Sequence, residues 1–366
     1  MTGTGVDIPW FNPEMTGGEQ ELLRQVLDSN FINDGPVTRR FEQKIARIAG
    51  TKYAVAVTSG TIAITCALLA LGIGAGDEVL VPDFTFIATA NAVRLTGATP
   101  ILVDVETRRF CIDIEAAAAA RTERSRAIVS VDVNGRGAAY DLLEPFCANH
   151  GLALVTDSSE ALGSWYRGRP LGSYGQAGCF SFSASKFVTT GQGGVVTTSD
   201  EALYRRLIEI KDQGRPVRGS GGDDLHPTLG FNFKFTDLQA AVGIAQLEAL
   251  DQRIAASRRR DAVYLELLGN VPGIQLGDMQ EEGEARLWGD ALIEQRGKVE
   301  AALKAEGIGY RNFWFPIHSQ AAYSDQAGKF AGTTHVSRNG LWLPSHFSIT
   351  EADIERTCDV IRRALL

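Results

Sequence analysis

Cys179-Phe180-Ser181-Phe182-Ser183-Ala184-Ser185-Lys186, followed at once by Phe187-Val188-Thr189-Thr190-Gly191-Gln192-Gly193-Gly194, is the stretch on which the reading of this chain turns. Upstream lies Leu152-Ala153-Leu154-Val155-Thr156-Asp157-Ser158-Ser159-Glu160, an apolar run ending in an acid. Gly178 to Ser183 and Leu152 to Thr156 both read as buried strands with a charged residue just beyond the end. A carboxylate at the end of a buried strand needs a partner, because burying it unpaired is costly. A lysine set between a hydrophobic strand and a glycine-rich turn is placed to bind an aldehyde covalently. Pyridoxal phosphate (PLP) answers both needs, with an aldehyde for Lys186 and a cationic ring nitrogen for Asp157. Taken singly, Lys186 also reads as a surface lysine and Asp157 as a helix cap or ordinary ion-pair partner.

Working outward, the first ~240 residues alternate strand and helix, the pattern of a parallel sheet covered on both faces. Strands are expected at Tyr53 to Thr58, Glu78 to Val81, Pro100 to Val103, Ala127 to Val131 and Gly194 to Thr198. Helices are expected at Thr61 to Leu71, Phe84 to Leu95, Tyr140 to His150 and Glu201 to Lys211. Ser59, Asp157 and Lys186 all follow predicted strands, and such sheets bind ligands beyond the carboxyl ends of their strands. Ser59-Gly60-Thr61 sits where a strand hands over to a helix. Free backbone N–H groups there suit a phosphate, although Ser and Thr at a helix start are commonly just caps.

Arg215 to Pro227 is rich in Gly, Pro and charge and reads as an exposed loop or flap. A helix over Leu238 to Ala249, with Thr236-Asp237 as cap candidates, is expected to lead out of the large domain. The predicted division is a large domain with an N-terminal arm over 1–245 and a smaller C-terminal α+β domain over 246–366. In the latter, strands are expected around Leu287 to Ile293 and Gly309 to Phe313, and a final helix from Glu351 capped by Thr350.

The chain has 366 residues, a net charge of −8 and a pI near 5.3, which disfavours nucleic acid as a partner. The basic run Arg258-Arg259-Arg260, with Arg253 nearby, reads as a solvated helix face. Five cysteines without metal spacing read as buried free thiols, in keeping with a reducing cytoplasm. No signal peptide is recognisable. The apolar run Ile62 to Ile73 is too short to span a membrane and reads as a buried helix.

The ordered set SGT, PDFTFIATANAV, DSSEALGS, FSFSASKFVTTGQGG and GFNFKFTDLQAAVGIAQL resembles the DegT/DnrJ/EryC1/StrS family of PLP-dependent aminotransferases. The likeness runs from Pro13 to the end of the chain. The resemblance implies fold type I and an amino transfer, with L-glutamate as donor, to a keto sugar that is usually nucleotide-linked. Within the family the pattern is closest to perosamine synthase-like enzymes, which aminate C4 of a 4-keto-6-deoxy sugar. It also implies roles. Lys186 is the covalent cofactor lysine and proton shuttle. Asp157 pairs with the pyridine nitrogen, and Glu160 lies near the phenolic oxygen. Gly60, Thr61 and Ser181 contact the phosphate, and Phe86 stacks on the ring. Asn232 reaches the phosphate of a neighbouring subunit, which implies a homodimer with shared sites. His318, Tyr323 and Asn33 match segments near the sugar.

Departures from the family pattern bear on the substrate. Val131-Asp132-Val133-Asn134-Gly135-Arg136 stands where VHLYGQ is usual, Ser158-Ser159 replaces alanines, and Gln192 replaces a glutamate. Arg136 with Arg218 points toward an acidic or differently phosphorylated substrate, such as a free keto sugar acid of the 8-oxo-octulosonate kind. A sugar dehydratase of the same fold is disfavoured, because that branch carries histidine in place of the lysine. A non-catalytic regulator is expected to have lost part of the cofactor set. A nicotinamide enzyme lacks its GxGxxG after the first strand.

Overall fold

The computed structural model describes residues 6–217, 225–277, 283–326 and 328–366. The apolar, β-branched runs assemble into a seven-stranded sheet. Its members are β1 (Tyr53–Val57), β2 (Glu78–Pro82), β3 (Thr99–Val103), β4 (Ser125–Val131) and β5 (Ala153–Asp157), then β8 (Ala177–Ser181) and β9 (Gly194–Thr198). Between β5 and β8 lies a short hairpin of β6 (Trp165–Tyr166) and β7 (Arg169–Pro170). The order is β1-β9-β8-β5-β4-β2-β3, and only β9 runs antiparallel to its neighbours. The strands are almost wholly buried because helices cover both faces, as a parallel sheet requires.

Register fixes the site. Val131 pairs with Asp157, and Asp157 pairs with Cys179, so β4, β5 and β8 end side by side. The helix Gly60–Ala70 is buried between the sheet and the helices Ala88–Leu95 and Glu201–Lys211. That accounts for the uniformly apolar run of Ile62 to Ile73. Among the described residues no helix is long and apolar enough to cross a membrane. All five cysteines are buried and free, and burial pushes the thiols of Cys66, Cys111, Cys147 and Cys358 up to about 12.

A second sheet, order β10-β11-β13-β12, is formed by β10 (Ile274–Leu276), β11 (Asp290–Ile293), β12 (Arg311–Asn312) and β13 (Gly340–Trp342). Leading into it, the helix Asp237–Glu248, opened by a Thr236/Gln239 capping box, is followed at once by the helix Leu250–Leu268. The helix Glu351–Leu365 opens with a second capping box, Thr350 with Asp353. Ile8 bridges Ile308 and belongs to this unit's apolar cluster, so the N-terminal arm packs on the C-terminal sheet.

Three expectations change. The helix after β2 begins at Ala88 rather than Phe84, because Phe84 and Thr85 are buried ahead of it and Phe84 packs on Phe313 and Trp314. The predicted strand at Leu287 starts at Asp290, since Trp288 is held by Asn134. The basic helix face is only half solvated. Arg253 is buried and donates to the carbonyls of Phe187 and Glu14, and Arg260 is buried against Asp261 and the Leu287 carbonyl. A charge run in a sequence does not say which members find acceptors across the fold. Arg218, together with most of the predicted flap, lies outside the described residues.

Candidate active site

At the carboxyl ends of β1, β5 and β8 a cavity of about 280 Å³ opens between the two sheets. Ser59 is extended and caps the helix Gly60–Ala70 by accepting the Ile62 N–H at 3.3 Å. Capping and a phosphate site are therefore compatible here, because the first N–H groups of a helix have no intrahelical acceptor. Gly60 is required by crowding. A Cβ there would stand 2.8 Å from Ser181 Cβ and 3.3 Å from Ser159 Oγ. Thr61, Ser181, Ser183 and Gln192 line the same end.

Asp157 is 6% exposed. Its Oδ2 accepts the Thr89 hydroxyl at 2.7 Å and its Oδ1 accepts the Ser159 N–H at 3.2 Å. Two donors hold the carboxylate, yet it still lines the cavity. Lys186 follows β8 in a turn, its N–H donating to the Ser183 carbonyl at 3.2 Å. Its Nζ lies 3.2 Å from Glu160 Oε1 and 5.2 Å from the Trp288 ring centre. The other oxygen of Glu160 accepts the Asn134 N–H at 2.9 Å. Phe86 is half exposed and forms a wall.

The cavity therefore brings together Gly60, Thr61, Phe86, Asp157, Glu160, Ser181 and Lys186. An amine, a carboxylate and a hydroxyl-lined helix start fit the aldehyde, ring nitrogen and phosphate of PLP. Among the described residues no cluster suits a metal ion.

The remaining predicted residues lie elsewhere. Arg136 is a correction. It is 0% exposed, donates to Asp290 Oδ1 at 2.6 Å and does not line the cavity, so its charge is committed inside the protein. Tyr323 is buried, donating to Asn91 Oδ1 at 2.7 Å beneath the Arg94 guanidinium. His318 is tied to the buried Asp83, with Nδ1 2.6 Å from Oδ2, and stacks on Phe330 outside the cavity lining. Burial raises the Asp83 carboxyl and His318 pulls against it. Asn33 is exposed, in a loop whose chain is pinned by Asp237. Asn232 is exposed, bridging Asp212, and does not line this subunit's cavity.

Sequence reasoning missed Trp288, Arg311 and Trp314, which close the cavity from the second sheet. Trp314 stands four residues before His318, in the aromatic run Phe313-Trp314-Phe315 ahead of Pro316, and that run was the available signal. Trp288 and Arg311 carried none. Asn134 was noted as a departure but not as a hub. It occupies left-handed backbone, φ 55°, and its side chain pairs with both the N–H and carbonyl of Trp288.

The chain is 36% identical to the GDP-perosamine synthase of Caulobacter vibrioides over 97% of each protein. Its structure is similar to S. venezuelae DesV, TM-score 0.92 at 32% identity, covering 97% of this chain and 98% of that one. DesI, solved in the presence of its TDP-sugar product, matches with TM-score 0.90 at 31% identity over 99% of this chain and 94% of the other. With residues 13–362 matching the family's model, the chain belongs to the DegT/DnrJ/EryC1/StrS aminotransferase family and is a PLP-dependent enzyme.

Proposed function

We propose that this sugar aminotransferase moves an amino group from an amino acid, L-glutamate by family analogy, to a nucleotide-linked 4-keto-6-deoxy sugar for amino-sugar synthesis. The observation that carries the reading is the placement of Lys186, 13% exposed and paired with Glu160, in one cavity with Asp157. The likeness to a perosamine synthase and to a protein solved with a TDP-sugar supports the substrate class. PLP held in that cavity would supply an aldehyde to take up the donor's nitrogen and a ring to withdraw electrons from the bond being broken. Lys186 Nζ removes the proton from the donor's α-carbon and returns one to the sugar carbon that receives nitrogen. Asp157 holds the positive ring nitrogen, and the Gly60 helix start with Thr61 and Ser181 holds the phosphate. Phe86 covers the ring. Asn232, exposed on its own subunit, serves the phosphate of a second copy, so the active form is a homodimer. By family analogy His318 and Asn33 serve the sugar, although neither lines the cavity of this subunit.

The test is direct. The protein loaded with pyridoxamine phosphate is mixed with GDP-, dTDP- and UDP-linked 4-keto sugars and with free keto sugar acids. Return of the visible pyridoxal absorbance with one nucleotide sugar supports the reading. Response only to a free sugar acid overturns it. Lys186→Ala is expected to bind cofactor without a borohydride-reducible link and to lose turnover by a thousandfold or more, on the order of a lost proton-transfer group plus covalent binding.

A further inference from the structure

Ser158 and Ser159 stand where alanines are usual, and the fold gives their hydroxyls different surroundings. Ser158 is buried, and its hydroxyl donates to Asp132 Oδ2 at 2.6 Å. Ser159 lines the cavity. Its N–H donates to Asp157 Oδ1 at 3.2 Å, but its hydroxyl makes no hydrogen bond among the described residues. Gly60 shows where that hydroxyl lies. The point that a Cβ on Gly60 would occupy is 3.3 Å from Ser159 Oγ and 3.2 Å from Ser181 Oγ. Ser159 therefore touches the acid Asp157 with its backbone and the start of the helix Gly60–Ala70 with its side chain.

The chemistry around Gly60 selects the ligand. A serine hydroxyl has one proton to donate. Its neighbours here are donors as well: the Ser181 hydroxyl and the first N–H groups of a helix, which have no intrahelical acceptor. Donors gathered in this way suit an anion. Charge argues in the same direction. Among the described residues the cations lining the cavity are Lys186 and Arg311, and both lie against the Trp288 ring, 5.2 and 5.9 Å from its centre. An anion at the helix start is held in this subunit by neutral donors, so one more hydroxyl is a substantial share of its binding.

We propose that the Ser159 hydroxyl is a further donor to the cofactor's phosphate, a contact that an alanine at this position cannot make. This rests on the PLP reading above and extends its phosphate site to a residue at which the chain departs from the family pattern. The ligand class is a phosphate monoester.

The test titrates the apoprotein with PLP and with pyridoxal, which lacks the phosphate, and follows binding by fluorescence quenching. Both ligands offer the same aldehyde and ring, so the ratio of their affinities reads the phosphate end alone. Wild type is compared with Ser159→Ala and Ser181→Ala. A hydrogen bond to a charged acceptor, lost without replacement, weakens binding by about ten- to hundredfold. Ser159→Ala is expected to lose that much affinity for PLP and none for pyridoxal, and unchanged pyridoxal binding also shows that the variant is folded. PLP bound as tightly by Ser159→Ala as by wild type would overturn the proposal. An equal fall for both ligands would overturn it too, by putting the hydroxyl against the ring. If Ser181→Ala lowers the ratio and Ser159→Ala does not, the phosphate site of the proposed function stands and the Ser159 contact fails. If neither variant moves the ratio, both fail. If Ser159→Ala lowers it while the loaded wild type aminates no keto sugar, the proposed function fails and the contact stands.

Discussion

Glu160 holds Lys186 from the side opposite its backbone tether: Oε1 lies 3.2 Å from Nζ while Oε2 accepts the Asn134 N–H at 2.9 Å. The carboxylate is 7% exposed, so its orientation is set by these two donors rather than by water. Glu160→Gln keeps an oxygen for the Asn134 N–H but loses the charge facing the amine. The expected outcome is a correctly folded protein whose half-reaction with L-glutamate slows by roughly ten- to hundredfold, at the low end of proton-transfer contributions. Stopped-flow absorbance measures it, and an unchanged rate would show that Glu160 is only packing.

Gly60 carries a sharper steric prediction. A Cβ would sit 2.8 Å from Ser181 Cβ, and neither atom is the end of a flexible chain. Gly60→Ala must push β8 and the helix start apart, at an overpacking cost of about 1–3 kcal/mol. That displacement falls on the proposed phosphate site, so PLP affinity is expected to drop about ten- to hundredfold. Equilibrium titration of the apoprotein with PLP gives the number. A variant that binds PLP as wild type does would place the phosphate elsewhere.

These residues divide what was legible from what was not. Asp157, Lys186 and Gly60 were readable because each ends its strand or follows it by a few residues, and a parallel sheet forces strand ends to one edge. Arg136 was misread for the opposite reason. Its partner Asp290 is 154 positions away, on a strand of the other sheet, and no local pattern marks a buried ion pair. Arg253 and Arg260 were misread alike, since their acceptors include distant main-chain carbonyls that a sequence does not display. Trp288 and Arg311 reach the cavity only through the packing of one sheet on the other.

Asp132 supplies a pH dependence. Its carboxyl is pushed up to about 7, chiefly by burial and further by Asp157, against hydrogen bonds from Ser158, Tyr140 and the Ala138 N–H. An unfolded aspartate titrates near 4, so between about pH 4 and 7 the native state holds a proton the unfolded chain has released. Stability from this group therefore falls as pH rises through that window and levels off above it, by on the order of a few kcal/mol. Asp132→Asn stays neutral throughout and removes the slope. Urea unfolding of both proteins at pH 5 and pH 8 is expected to show the variant gaining on wild type at pH 8. Parallel behaviour at the two pH values would mean that Asp132 is ionised throughout.

Asp290 ties the sheets together. It is buried, with Oδ1 bound by Arg136 at 2.6 Å and Arg286 at 3.1 Å, and Oδ2 by Asn134 at 2.7 Å. Burial opposes its ionisation, but the two guanidinium groups prevail and hold it below the usual carboxylate range. Asp290→Asn removes the carboxylate that Arg136 and Arg286 share, leaving Arg286 with Asp261 at 4.0 Å and with Arg136 disfavouring its charge. Removing one partner of such a cluster costs about 3–5 kcal/mol. The expected outcome is a lowered urea midpoint at pH 7. Because Asn134 also positions Trp288 and Glu160, the loss should reach the cavity as well. Cofactor-loaded Asp290→Asn is therefore expected to show a lower maximal half-reaction rate even under conditions where it is fully folded. A destabilised variant with wild-type turnover would separate the clasp from the chemistry and leave Asn134 a purely structural residue.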